Sequence, residues 1–99
     1  MIRIKKHFED STLFVFLEGK MDTVTTPEVT AAIDEDTNTA SAVVIDMKDL
    51  SYLSSAGLRL LLSLHKKMAL KDGLKIRNVN SDINDIFDMT GFSEILDIE

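Results

Sequence analysis

Two adjacent serines and a glycine stand where an apolar segment gives way to a leucine-rich one. They are Ser54, Ser55 and Gly57, within the stretch LSYLSSAGLRLLL, residues 50–62. The N-terminus of a helix carries backbone N–H groups without partners and the positive end of the helix dipole. A serine hydroxyl there can cap the helix, or it can carry a phosphate whose negative charge the helix end stabilises. From the residues alone, both roles stay open.

A third role, the serine nucleophile of a hydrolase, is disfavoured by the neighbouring residues. A nucleophile elbow has the pattern G-x-S-x-G, and Tyr52 or Leu53 stands where its first glycine belongs. The histidines that could act as a base are His7, on the first predicted strand, and His65, about 15 Å along the helix from Ser55. We therefore expect no catalytic residues, no cofactor and no enzyme activity.

The composition is that of one small globular domain, which we expect to span residues 1–99. The net charge of −6 argues against a nucleic-acid-binding protein, since those usually present a basic face. The chain has no cysteine, which excludes disulfides and cysteine metal sites and suits a reducing cytoplasm. Its longest apolar run, Leu13–Leu17, is far too short to span a bilayer. We expect a cytoplasmic protein without a metal site and without direct contacts to nucleic acid or membrane.

Strand-like and helix-like patterns alternate in the order β-β-α-β-α-β-α, with a short strand or turn at the end. This order predicts an α/β fold: a mixed sheet of four to five strands, with an antiparallel first pair, parallel later pairs and faces covered by helices. The continuous apolar run Leu13–Leu17 predicts an inner strand buried on both faces. The predicted segments are strands at 2–9, 12–19, 41–49 and 74–79, helices within 23–35, 54–71 and 81–91, and the final strand or turn within 92–99.

Local signals also predict where the helices begin, end and bury their side chains. We expect Thr26 to cap the first helix, with Pro27 at its first position, and Ser81 to cap the third, which Gly91 ends. The second helix is expected to run to Lys71, with Gly73 just beyond its end. Its 3.6-residue periodicity predicts one apolar stripe and two leucines only partly buried. The stripe is Leu58, Leu61, Leu62, His65, Met68 and Ala69, and the flanking leucines are Leu60 and Leu64.

Four segments together are typical of a known family. They are AVVIDMKDLSYL, SSAGLRLLL, the earlier LEGKMDTVTTPE and the late DIFDMTGF, and they occur in the family's order. On these the chain resembles the STAS domain, specifically the single-domain anti-sigma factor antagonists of bacteria, over essentially its whole length. Aligning the family's glycine on Gly57 implies that Ser55 is the phosphoacceptor, with Ser54 a weaker alternative. An aspartate near the family's phosphorylation site matches Asp22.

The sequence departs from the family pattern at three positions beside that site. Ser54 replaces an acidic residue, Ala56 replaces a second hydroxyl residue, and Arg59 follows Leu58. The resemblance implies a partner-binding surface around the start of the second helix, where Gly57 lacks a Cβ and would let a partner approach closely. The residues expected there are Asp22, Ser54, Ser55, Ala56, Gly57 and Arg59.

The resemblance implies a partner-switching regulator. In its unphosphorylated form it would bind an anti-sigma factor serine kinase. The kinase would phosphorylate Ser55, and the complex would then dissociate. A PP2C-type phosphatase would dephosphorylate the protein. A phosphate brings about −1.5 to −2 charges to a surface that fitted a hydroxyl, which is sufficient for release. The alternative is a constitutive STAS scaffold subunit, for example on a transporter, without a phosphorylation cycle.

Overall fold

The computed structural model describes residues 1–99 as a five-stranded mixed sheet with three α-helices. The strands lie side by side in chain order. β1 pairs with β2 in antiparallel fashion, whereas the β2–β3, β3–β4 and β4–β5 pairs are parallel. The predicted mixed sheet is therefore confirmed. The elements are β1 (Ile2–Glu9), β2 (Thr12–Met21), α1 (Thr26–Thr39), β3 (Ala42–Leu53), α2 (Ser55–Met68), β4 (Leu74–Arg77), α3 (Ser81–Thr90), a 3-10 turn (Phe92–Glu94) and β5 (Asp97–Ile98).

One face of the sheet forms the core together with all three helices. Every β-α-β connection moves one place in the same direction along the sheet. Because such connections are right-handed, the helices they contain fall on the same face. Alternate strand residues on this face are buried against the helices in a single apolar cluster. They include Leu13, Val15 and Leu17 from β2, Val43, Ile45 and Met47 from β3, and Leu74 and Ile76 from β4.

The opposite face of the sheet has no helix over it. Phe14 and Phe16 point to this side and are only half-buried. The His7 ring stacks on both, at 5.3 and 5.7 Å between centroids, and the Arg77 guanidinium lies 5.4 and 5.9 Å from the two ring centres. The prediction that Leu13–Leu17 is buried on both faces is therefore wrong, since His7 and Arg77 supply the cover that a helix was expected to give.

The second helix is shorter than expected and buries a slightly different stripe. α2 ends at Met68 and not at Lys71, whose ammonium group instead donates hydrogen bonds to the Asn38 carbonyl in the last turn of α1 and to the Ala40 carbonyl just beyond it. Leu64 is buried and Ala69 is exposed, which reverses the prediction for both, while Leu62 and His65 are half-buried. The reason is that the buried stripe advances from Leu64 to Met68, so Ala69 lies about 100° away from it around the helix.

Neither of the two predicted capping residues caps its helix. Thr25 and not Thr26 precedes α1, and its side chain makes no capping hydrogen bond, whereas Asn80 and not Ser81 caps α3. The Asn80 side chain accepts a hydrogen bond from the Ile83 N–H at 2.9 Å and also donates one to the Leu50 carbonyl of β3 at 2.8 Å. An amide can do both at once, whereas a serine side chain is too short to bridge the helix end and the strand. Gly91 ends α3 in the left-handed conformation, as predicted.

Asp46 ties β3 to the end of β4 on the uncovered face. Its carboxylate is almost fully buried and accepts hydrogen bonds from the Asn78 amide at 2.8 Å, from Arg77 Nε at 3.2 Å and from the Lys48 N–H at 2.9 Å. Burial by itself raises the pKa of Asp46, but these hydrogen bonds and the Arg77 charge outweigh it and leave the pKa below its usual value. The ionised carboxylate is therefore the form that stabilises the fold.

Replacing Asp46 by Asn should lower stability at neutral pH but not in acid. We expect Asp46→Asn to lose about 1.5–3 kcal/mol of unfolding free energy at pH 7, the range for hydrogen bonds to a charged group. Because the folded pKa is lowered, the wild-type advantage is fully present above the unfolded value of about 3.9 and is lost as pH falls through the folded value. Urea unfolding between pH 7 and pH 2 measures both proteins. If the difference in unfolding free energy between the two proteins stayed constant down to pH 2, Asp46 would not stabilise the fold as an ionised carboxylate.

Candidate functional site

Ser54 is the capping serine. Its hydroxyl accepts a hydrogen bond from the Gly57 N–H at 3.3 Å, and its own N–H donates to the Met21 carbonyl at 2.9 Å. The side chain is buried between the end of β2 and the first turn of α2. Ser54 is therefore held from both sides, and its hydroxyl already has a structural role.

Ser55 is the first residue of α2 and is exposed. Its hydroxyl makes no hydrogen bond to the rest of the chain. The two roles that the sequence left open thus fall to different residues, because Ser54 caps the helix and leaves the Ser55 hydroxyl free at the surface. A phosphate on Ser55 would lie at the positive end of the α2 dipole, where negative charge is stabilised.

Gly57 lies beneath this surface and not on it. It is buried, and a Cβ placed on it would come within 2.6 Å of Leu53 Cδ1 and 3.2 Å of Met21 Cγ. Both neighbours are core residues. The expectation that Gly57 lets a partner approach closely is therefore wrong, since the missing Cβ lets α2 sit close to the ends of β2 and β3.

Asp22 organises the turn between β2 and α1. One carboxylate oxygen, Oδ1, accepts hydrogen bonds from the N–H groups of Thr25 at 2.8 Å and Val24 at 2.9 Å and from the Thr25 hydroxyl at 3.1 Å. The Thr25 N–H bond, together with the others, lowers the pKa of Asp22. The side chain is half-buried, directly after Met21, whose carbonyl holds Ser54. Asp22 therefore fixes the loop beside the α2 N-terminus while its second oxygen makes no hydrogen bond within the chain.

A groove between α1 and α2 completes the site. It has a volume of about 590 Å³ and is bounded on the α2 side by Ala56 and Arg59 and on the α1 side by residues such as Thr30 and Asp34. Sequence reasoning did not include Thr30 or Asp34, because nothing local indicates that this face of α1 lies beside the start of α2. We call this space, together with exposed Ser55, the switch surface.

The structure brings four of the six predicted partner-binding residues to or beside the switch surface and places the other two below it. Asp22, Ser55, Ala56 and Arg59 are at or near the surface, and Ser54 and Gly57 support it. Of the two histidines, His7 lies on the opposite face of the sheet, and His65 is ten residues along α2 from Ser55. No group of three or more His, Asp or Glu side chains is arranged to hold a metal ion, and no helix is long and apolar enough to cross a membrane.

Comparison with known proteins identifies the family. The model of the STAS domain matches residues 3–99. The chain belongs to the STAS domain family. This STAS domain is 27% identical over 100 residues to the anti-sigma F factor antagonist of Paenibacillus polymyxa, an alignment that covers 98% of this chain and 86% of the relative.

Solved structures share the fold of this STAS domain. An anti-sigma factor antagonist from Mycobacterium paratuberculosis superposes with a TM-score of 0.90 at 23% identity, over 99% of this chain and 85% of the other. The Bacillus cell-fate determinant SpoIIAA, solved in its phosphorylated form, superposes with a TM-score of 0.76 at 16% identity, over 98% and 91% of the two chains. The predicted STAS fold is confirmed.

Proposed function

We propose that this STAS domain is a cytoplasmic anti-sigma factor antagonist that binds an anti-sigma factor serine kinase when unphosphorylated and is released by phosphorylation of Ser55. The proposal rests on the observation that the two adjacent serines have different environments and roles. Ser54 is buried and caps α2, so the exposed Ser55 hydroxyl is free to react without loss of the cap. The name of the Paenibacillus polymyxa relative, an anti-sigma F factor antagonist aligned over 86% of its length, supports the same role.

The chemistry of the switch belongs to the partners, and this chain is their substrate. In the kinase complex, Ser55 Oγ attacks the γ-phosphorus of ATP; the Oγ–P bond forms, the bond to the bridging oxygen of ADP breaks, and the hydroxyl proton passes to a base of the kinase. A PP2C-type phosphatase reverses the modification by hydrolysis, which returns the hydroxyl and releases inorganic phosphate. The STAS domain supplies a binding surface and an acceptor hydroxyl, and we propose no catalytic role for it.

The fold can accept this modification without rearrangement. Ser55 begins the first turn of α2, where no acidic side chain competes for the helix end. A phosphate there is stabilised by the helix dipole and by free backbone N–H groups. The same charge is unfavourable for a partner that has packed against a bare hydroxyl, because it must be desolvated at the interface. Phosphorylation therefore weakens the complex and not the fold.

Intact-mass analysis after incubation with the cognate anti-sigma factor kinase and ATP tests the proposal. The wild type should gain the mass of one phosphate, Ser55→Ala should gain none, and Ser54→Ala should still be modified. Losing the cap in Ser54→Ala costs about 1 kcal/mol, so circular dichroism must show that this variant is folded. A wild type that stays unmodified by a kinase active on another substrate would instead support the constitutive scaffold.

A further inference from the structure

Arg59 is a cation without a partner beside the proposed phosphorylation site. It is exposed and makes no ion pair and no side-chain hydrogen bond; the ion pairs of the chain are Lys6–Asp36 and Arg77–Asp46, and His7 Nε2 lies 3.6 Å from a Glu9 carboxylate oxygen. It borders the groove of the switch surface, where Asp34 is the one carboxylate. Asp34 is not within ion-pair distance of it. The guanidinium is therefore free to bind an anion brought to this surface.

The helix geometry makes Arg59 and Ser55 neighbours on α2. The two residues are four apart on α2, which places them on neighbouring turns of one side of the helix, with about 5–6 Å between their Cβ atoms. Side chains of an α-helix tilt toward its N-terminus, so the Arg59 guanidinium, which borders the groove beside Ala56, can reach the turn that begins with Ser55. The planar guanidinium can also donate two parallel hydrogen bonds to phosphate oxygens, a bidentate arrangement.

We propose that Arg59 is the counter-charge of the phosphate on Ser55, an inference that rests on the proposed function. In the phosphorylated protein, the guanidinium donates hydrogen bonds to the phosphate oxygens across one helical turn. Because Arg59 is the one cationic side chain bordering the groove, this pairing also withdraws positive charge from the surface against which a partner docks. Phosphorylation thus acts twice at the switch surface, by adding an anion and by occupying the cation beside it.

Phosphate titration followed by ³¹P NMR tests this pairing without any kinase. The full chain is produced with phosphoserine incorporated at position 55 during translation, in wild-type and Arg59→Gln forms. A nearby cation favours the dianion, so Arg59→Gln should raise the second pKa of the phosphate, ordinarily about 6, by about 0.5. Arg59→Lys keeps the charge but not the bidentate geometry. The phosphate pKa of this variant should therefore lie between those of the wild type and Arg59→Gln.

Lys66→Gln is the matched control. It removes the same charge from an exposed position on α2, but about 16 Å from Ser55, where salt screens the interaction. Its phosphate should titrate like that of the wild type. Equal phosphate pKa values in the wild type and Arg59→Gln, with both proteins folded by circular dichroism, would overturn the inference. Because phosphoserine is incorporated during translation, this titration does not depend on the kinase. Failure of the kinase reaction would therefore count against the proposed function alone.

Discussion

The Ser55→Asp protein is expected to bind the anti-sigma factor kinase at least about a hundredfold more weakly than the wild type, while keeping its fold. Ser55 is exposed at the α2 N-terminus, so a carboxylate there is stabilised by the helix dipole within the chain. At the interface, the same carboxylate must lose its water against a surface that fitted a hydroxyl. The full phosphate, with up to two charges, should cost about 3–4 kcal/mol of binding, which is several hundredfold. Isothermal titration calorimetry with the purified kinase measures both forms.

Ser63→Asp is the control for this experiment. It makes the same substitution on an exposed position of the same helix, two turns beyond Ser55, so it tests whether any added charge on α2 would release the partner. Ser63→Asp should bind like the wild type. Backbone NMR shifts of Ser55→Asp should change only around the first turn of α2. Unchanged affinity, or an α2 that rearranges throughout, would contradict a switch that acts at the surface.

Gly57→Val is expected to lose about 1–3 kcal/mol of unfolding free energy through overpacking. The added side chain must occupy space already filled by Leu53 and Met21, which are core residues and cannot move into solvent. Valine has a higher helix propensity than glycine, so the loss comes from overpacking and not from the helix itself. Urea denaturation measures the change. Ser63→Val, on the exposed side of α2, should stay within about 0.5 kcal/mol of the wild type.

A double-mutant cycle separates this packing role from a general effect of substituting the glycine. Leu53→Ala removes the methyl group that a Cβ on Gly57 would meet first. Gly57→Ala should therefore be about 1 kcal/mol less destabilising in the Leu53→Ala background than in the wild type. If the two changes are additive, a Cβ at position 57 does not contact Leu53, and the packing role of Gly57 is wrong.

The sequence by itself determined the features that depend on neighbouring residues. The alternation of strand and helix patterns predicts the mixed sheet, and Pro27 and Gly91 lie at helix ends because their backbone preferences act locally. The pair Ser54–Ser55 at the junction indicates a helix N-terminus with a cap or a phosphate acceptor, and the residues alone leave open which serine takes which role. The resemblance to STAS domains rests on the same local segments.

Only the tertiary structure decided which residue takes which role at the site. Ser54 is the cap because the Met21 carbonyl, from a strand more than thirty residues earlier, fixes its backbone. Gly57 faces inward for the same reason, since β2 and β3 meet beneath it. The groove beside Arg59 exists because α1 and α2 fall on one face of the sheet. These placements depend on contacts between distant parts of the chain, whereas periodicity and capping signals report only on residues a few positions apart.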